Sequence, residues 1–155
     1  PLLMNPVFAN YMQAYGQGGL RAMSFGPEAL SQLTRLYWYT VEFGLINTPQ
    51  GLRIYGAGIL SSKGECDYSL NADAPNRIGF DLKRVMNTRY RIDTFQKTYF
   101  VIDNFEQLFE ATFADFAPVY AQLNQSKAVP AGEVLSTDKV YHLGTGEGWL
   151  LDGDI

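Results

Sequence analysis

The sequence predicts a mostly α-helical domain with a small β component. Apolar residues recur at three- and four-residue spacing over 28–46 and again over 105–120, the mark of amphipathic helices. Strand-like runs are short and few, at 52–55, 90–92 and 99–102. With 155 residues and 46% hydrophobic content the chain can bury one real core and is too short for two.

Taken in order, Asn5 or Pro6 opens a helix carrying Val7, Phe8, Tyr11, Met12 and Tyr15, which Gly16, Gly18 and Gly19 end. Pro27 suits the first turn of a second helix running from about Glu28 to Ile46. Leu30, Leu33, Tyr37, Val41 and Gly44 share one stripe of it, and Trp38, Glu42 and Leu45 a neighbouring one. Asn47, Pro49 and Gly51 close it, a strand follows over 52–55, and Gly56-Ala57-Gly58 reads as a tight turn. Ser62-x-x-Glu65 reads as a capping box for a helix to about Leu70, and that role suffices to explain both residues. Residues 71–79 read as loop and 81–86 as a short helix. The runs at Tyr90 and Ile92 and at Tyr99, Val101 and Ile102 read as a β-ribbon. Asp103 or Asn104 caps a last helix that Pro118 should interrupt. Residues 1–123 thus form the body, and 124–155, glycine-rich and loop-like, an irregular, partly mobile tail.

A net charge of −4 argues against nucleic acid, which needs a basic stripe. Arg84, Arg89 and Arg91, interleaved with Asp81 and Asp93, read as a solvated surface. No apolar run of about 18 residues indicates a membrane span, and the start lacks the basic segment of a signal peptide. The single cysteine, Cys66, forms no internal disulfide; it suits a reducing cytoplasm and reads as a small buried side chain. The chain has no initiator Met and begins inside an apolar phrase, as a fragment would.

Two motifs fall short of chemistry. Gly56-x-Gly58 has Ser61 at the third glycine position and lacks a following βαβ unit. Ser61 as a nucleophile needs a histidine base, and the sole histidine, His142, lies in the tail.

Glu42 is the more telling residue, a carboxylate inside the apolar phrase YWYTVEFGL. An ionised carboxylate there is costly unless a cation, a metal or several hydrogen bonds receive it. Arg35 or Arg53 could pair with it. Alternatively Glu42 is a metal ligand beside an aromatic pocket of Tyr37, Trp38 and Phe43. Open non-haem iron sites use two histidines and one carboxylate; with one histidine in all, this chain supplies only part of such a site.

LTRLYWYTVEFGLINTPQGLRIYGAGILSS and NTRYRIDTFQKTYFVID resemble the pterin-dependent aromatic amino acid hydroxylases, nearest to their short bacterial members that act on phenylalanine. The resemblance extends from Pro1 to about Tyr120. It implies a partial catalytic domain, its C-terminal half, that uses Fe(II), O2 and a tetrahydropterin such as tetrahydrobiopterin to hydroxylate phenylalanine. Tyrosine or tryptophan hydroxylation is the alternative. It implies Glu42 as the iron-ligating carboxylate. Trp38, Phe43, Gly58 and Ser61 would line the substrate pocket, with Ser61 also supporting an iron-bound imidazole. Tyr37 and Ala57 would face the pterin. In the family the iron histidines sit in a His-Glu-x-x-Gly-His-Val-Pro phrase whose last proline corresponds to Pro1. Both would therefore precede this chain, which alone is expected to be inactive. No heptad tail follows, so the parent is expected to be monomeric. The competing expectation is a non-catalytic helical scaffold, in which Arg35 or Arg53 neutralises Glu42.

Overall fold

A computed structural model describes residues 25–113, 116–124 and 126–155, together with Pro6, Ala9, Gln13 and 15–17, which are helical. Val7, Phe8, Tyr11 and Met12, expected on the first helix, lie outside the described residues. Tyr15 packs at the edge of the core, and Gly16 continues the helix instead of ending it.

Helix α1 (Pro27–Tyr37) starts as expected, with Pro27 in its first turn after Gly26 at φ 94° and Glu28 near its positive end. It does not continue to Ile46. A π-helical turn over Trp38–Glu42 takes over, and the chain then enters strand β1 (Leu45–Thr48). β1 pairs antiparallel with β2 (Gly51–Ile54). Asn47, Pro49 and Gly51 therefore build a hairpin and not a helix end; Thr48 Oγ1 donates to the Gly51 carbonyl at 2.7 Å, and Gly51 sits at φ 105°. Gly56-Ala57-Gly58 is likewise no free turn: Gly56 precedes the short helix α2 (Ala57–Leu60).

Helix α3 (Lys63–Asn71) is capped by Ser62, whose hydroxyl accepts from the Glu65 N–H at 3.3 Å. Strand β3 (Asn76–Gly79) lies where a loop was expected. Its Asn76, Arg77 and Ile78 are buried. Two of those are polar, and both are satisfied. Arg77 donates to the carbonyls of Ser69 (2.6 Å), Tyr68 (3.2 Å) and Ala72 (2.7 Å), capping the negative end of α3. Helix α4 (Leu82–Met86) follows, with Asp81 as N-cap.

Strand β4 (Thr98–Ile102) is buried at all five positions and runs parallel to both β1 and β3. Tyr90 and Ile92 form no ribbon with it. The Tyr90 backbone instead exchanges two 2.8 Å bonds with Ile155. Helix α5 (Phe105–Phe113) is capped by the Asn104 side chain, and α6 (Ala117–Leu123) carries Pro118 in its first turn, so the interruption falls where expected.

With strand β5 (Val140–His142), the strands form one five-stranded mixed sheet in the order β2-β1-β4-β3-β5. Successive side chains of β4 point to opposite faces. Phe100 and Ile102 join Leu33 and Leu36 of α1, Val85 and Met86 of α4 and Leu108 of α5. Tyr99 and Val101 join Leu45, Phe43 and Ile59 of α2, with Cys66 and Tyr68 of α3 behind them. Helices therefore cover both faces, and the sheet is a larger part of the fold than a small β component. Parallel strands carry no turn between them, so local sequence gives no sign of their pairing.

Residues 124–155 are largely without regular structure, yet they are tied to the body. β5 pairs with β3. The buried pair Arg84–Asp138 closes at 3.0 Å, and Asp154 joins Lys97 at 3.1 Å and the Ala131 N–H at 2.9 Å. Arg84 and Arg91 are thus not solvated: Arg91, 1% exposed, holds Asp93 and the Asp152 carbonyl. Breaking a buried pair by removing one partner costs about 3–5 kcal/mol, because the other charge stays buried. Asp138→Ala is expected to lower unfolding stability by about 3 kcal/mol in urea titrations. A loss below about 0.5 kcal/mol, the scale of a surface substitution, would show that this anchor is not needed.

Candidate active site

The π-turn arises within WYTVE. Phe43 N–H donates to the Trp38 carbonyl at 2.9 Å, five residues back, while Thr40 Oγ1 takes the Leu36 carbonyl at 2.6 Å. The wider turn brings residues five apart onto one side. Tyr37 Oη donates to Glu42 Oε1 at 3.3 Å, and the Trp38 and Phe43 rings lie 4.7 Å apart. Stripes drawn at α-helical spacing do not make these pairs.

Glu42 is half-buried, and Tyr37 is its side-chain partner. Burial and the neighbouring carboxylate both push the Tyr37 phenol upward, so it stays a neutral donor. Neither arginine neutralises Glu42. Arg53 turns to the Leu52 carbonyl at 2.9 Å, and among the described residues no ion pair joins Glu42 to Arg35 or Arg53.

The glycines of YGAG permit close approach to this turn. A Cβ on Gly56 would meet the Glu42 carbonyl at 2.4 Å, and one on Gly58 would meet Glu42 Oε2 and the Phe43 ring tip, each at 2.9 Å. Gly58 thus lies directly against the carboxylate and the aromatic wall. Ala57 is exposed at the start of α2, and Ser61, also exposed, donates its hydroxyl to the Gly58 carbonyl at 2.9 Å. The structure therefore gathers Tyr37, Trp38, Glu42, Phe43 and Gly58, with Ser61 joined through Gly58. His142 lies on β5, with Nε2 3.1 Å from the Asp73 carbonyl, and takes no part.

Residues not singled out in the sequence complete the wall. Tyr90 stacks on Trp38 (4.7 Å between centroids, 23° between planes), and Gln96 Oε1 accepts from Trp38 Nε1 at 3.1 Å. Behind them Glu65 is buried. Its Oε2 accepts from Tyr99 Oη at 2.5 Å and from the Gln96 N–H at 3.2 Å. Only half of the capping box is realised, because the Glu65 side chain turns inward instead of back to Ser62. The apolar surroundings that a burial site needs are not visible in SSKGE itself, so sequence offered no signal beyond the cap.

Among the described residues, no three His, Cys, Asp or Glu side chains converge as a metal site. Glu42 fits a metal as a single ligand: a carboxylate with no cationic partner among the described residues, held by the Tyr37 phenol and approached closely by Gly58. It does not form a complete site.

The profile of the biopterin-dependent aromatic amino acid hydroxylases matches residues 1–129. The chain belongs to this family. It is 65% identical over its whole length to a phenylalanine-4-hydroxylase of Ralstonia nicotianae and 63% identical to one of Chromobacterium violaceum. It covers 49% and 52% of those proteins, about half their length. The crystal structure of the Chromobacterium violaceum phenylalanine hydroxylase with iron and phenylalanine bound superposes at a TM-score of 0.87. That match has 66% identity and covers 90% of this chain and 52% of that one. The fold is therefore that of about half of the phenylalanine hydroxylase structure.

Burial raises the Glu65 carboxyl above its usual range, and the bonds from Tyr99 and Gln96 only partly offset this. A raised carboxyl contributes stability below its unfolded-state pKa and loses it as pH rises through the folded value. Glu65→Gln keeps an acceptor and cannot ionise. Its stability relative to wild type is expected to improve as pH rises above the ordinary glutamate range, levelling off once the folded Glu65 carboxyl has ionised, in urea titrations. A difference independent of pH would show that Glu65 ionises as freely folded as unfolded.

Proposed function

We propose that this chain is the C-terminal half, residues 1–123, of the catalytic domain of a phenylalanine 4-monooxygenase, with 124–155 as an irregular segment packed upon it. The whole enzyme converts L-phenylalanine to L-tyrosine with Fe(II), O2 and a tetrahydropterin. The observation that carries this is the Glu42 carboxylate, half-buried beside an aromatic wall with no cationic partner among the described residues, in a chain nearly two-thirds identical to phenylalanine-4-hydroxylases.

When bound, iron and the pterin supply the oxygen chemistry. This chain's residues do the placing. Glu42 provides one carboxylate ligand, and Tyr37 holds one of its oxygens and so sets its orientation. Trp38 and Phe43 offer an apolar face that suits an unsubstituted ring, while Gly58 leaves room for close approach. Ser61, joined to the Glu42 turn through Gly58, would turn its hydroxyl to support an imidazole. Tyr37 and Ala57 form the side assigned to the pterin. The remaining iron ligands would come from the part of the enzyme that this chain does not span. Small molecules are the partners, with no nucleic acid and no membrane. Among the described residues no helix is long and apolar enough to cross a bilayer. We place the enzyme in the cytoplasm as a monomer.

Losing a group that merely orients a metal ligand costs about 10–100-fold in metal affinity, and losing a ligand costs more. In the whole protein, Glu42→Ala is expected to weaken iron binding at least about a hundredfold and abolish tyrosine formation. Its circular dichroism should match wild type. Normal iron content measured by mass spectrometry in that variant would remove Glu42 from the site and overturn this reading.

A further inference from the structure

We propose that Gln96 is a positioning residue for the substrate pocket, its side-chain amide fixing the in-plane rotation of the Trp38 indole. The inference rests on the reading of Trp38 as a pocket wall.

Trp38 is held between rings: Tyr90 stacks on it, and Phe43 lies 4.7 Å away at 35°. Stacked faces resist tilting, but they leave an indole free to slide and rotate within its own plane. One directional contact at the ring edge removes that freedom, and Gln96 supplies it from 58 residues away through the 3.1 Å bond to Nε1.

Gln96 is built for this task. It is 1% exposed, and both ends of its amide are used with opposite polarity: Oε1 accepts from Trp38, while Nε2 donates to the Arg91 carbonyl at 2.7 Å. A flipped amide would set donor against donor and acceptor against acceptor, so only one orientation satisfies both partners. Its own N–H is tied to the buried Glu65, which also takes Tyr99. The restraint thus runs from a strand of the central sheet, through a buried carboxylate and one amide, to the pocket wall. Small misplacements of a reacting ring cost large factors in rate, which gives such a restraint a purpose.

Two measurements test it. In the chain labelled with nitrogen-15, the Trp38 indole N–H should exchange with solvent at least about tenfold more slowly than in Gln96→Met, which loses the acceptor. In the whole enzyme, Gln96→Met should raise KM for L-phenylalanine about tenfold, and in a Trp38→Phe background the same change should alter KM by less than about twofold. Gln96→Asn, whose amide keeps both polarities but is one methylene too short to reach Nε1, should likewise speed exchange, and it serves if Gln96→Met does not fold. A fast-exchanging Trp38 N–H in wild type, an unchanged KM in folded Gln96→Met, or an equal KM effect in both backgrounds would overturn the inference. If wild type neither turns over L-phenylalanine nor shows a Trp38 indole shift on adding it, the substrate reading falls and takes the pocket role of Gln96 with it. The exchange comparison alone still reports whether the Gln96–Trp38 bond exists.

Discussion

The structure depends on one half-buried carboxylate, Glu42, that has no cationic partner among the described residues. Half-buried, Glu42 keeps part of its hydration, and the Tyr37 phenol donates to it at 3.3 Å. The π-turn creates that contact by bringing Tyr37 and Glu42, five residues apart, onto one side. Gly56 and Gly58 then let the exit from β2 lie against the turn with no side chain between. The helix that opens the phrase, the hairpin that follows and the glycines after it serve the same few cubic ångströms.

Around the carboxylate, rigidity comes from polar groups that sit behind the aromatic wall and not in it. Glu65, Tyr99 and Gln96 are buried, mutually satisfied and rooted in α3 and β4. A satisfied buried network of this kind specifies one arrangement, since any shift leaves a polar group unpaired. Tyr90 adds a second restraint, because its backbone is clamped to Ile155 while its ring stacks on Trp38. The C-terminal segment therefore bears on the aromatic wall through main-chain bonds, although among the described residues it supplies no side chain to the Glu42 turn.

The grouping of side chains around Glu42 was partly legible in the sequence, and the fold less so. Glu42 stood out because a charge inside YWYTVEFGL needs an explanation, and Pro27, Ser62, Asp81 and Asn104 announced their helix starts through local capping chemistry. What failed was whatever depends on distant partners. NRIG is polar enough to pass for loop; it is a buried strand because Arg77 finds three carbonyls at the end of α3 and Asn76 pairs with Thr98 and Gly132. Tyr90 and Ile92 alternate like a strand, but the partner of Tyr90 is Ile155, 65 residues on. Arg84 and Arg91 look solvated beside Asp81 and Asp93 until Asp138 and Asp152 arrive from the far end of the chain. The π-turn has no signature at three- and four-residue spacing, so its five-apart pairs appear only in coordinates.

The most direct test of the account is a crystal structure of the whole protein loaded with iron. One Glu42 carboxylate oxygen should lie at bonding distance from the metal, with Tyr37 still held to the carboxylate and Gly58 against it. Iron bound elsewhere, with Glu42 turned to solvent or joined to an arginine, would contradict it.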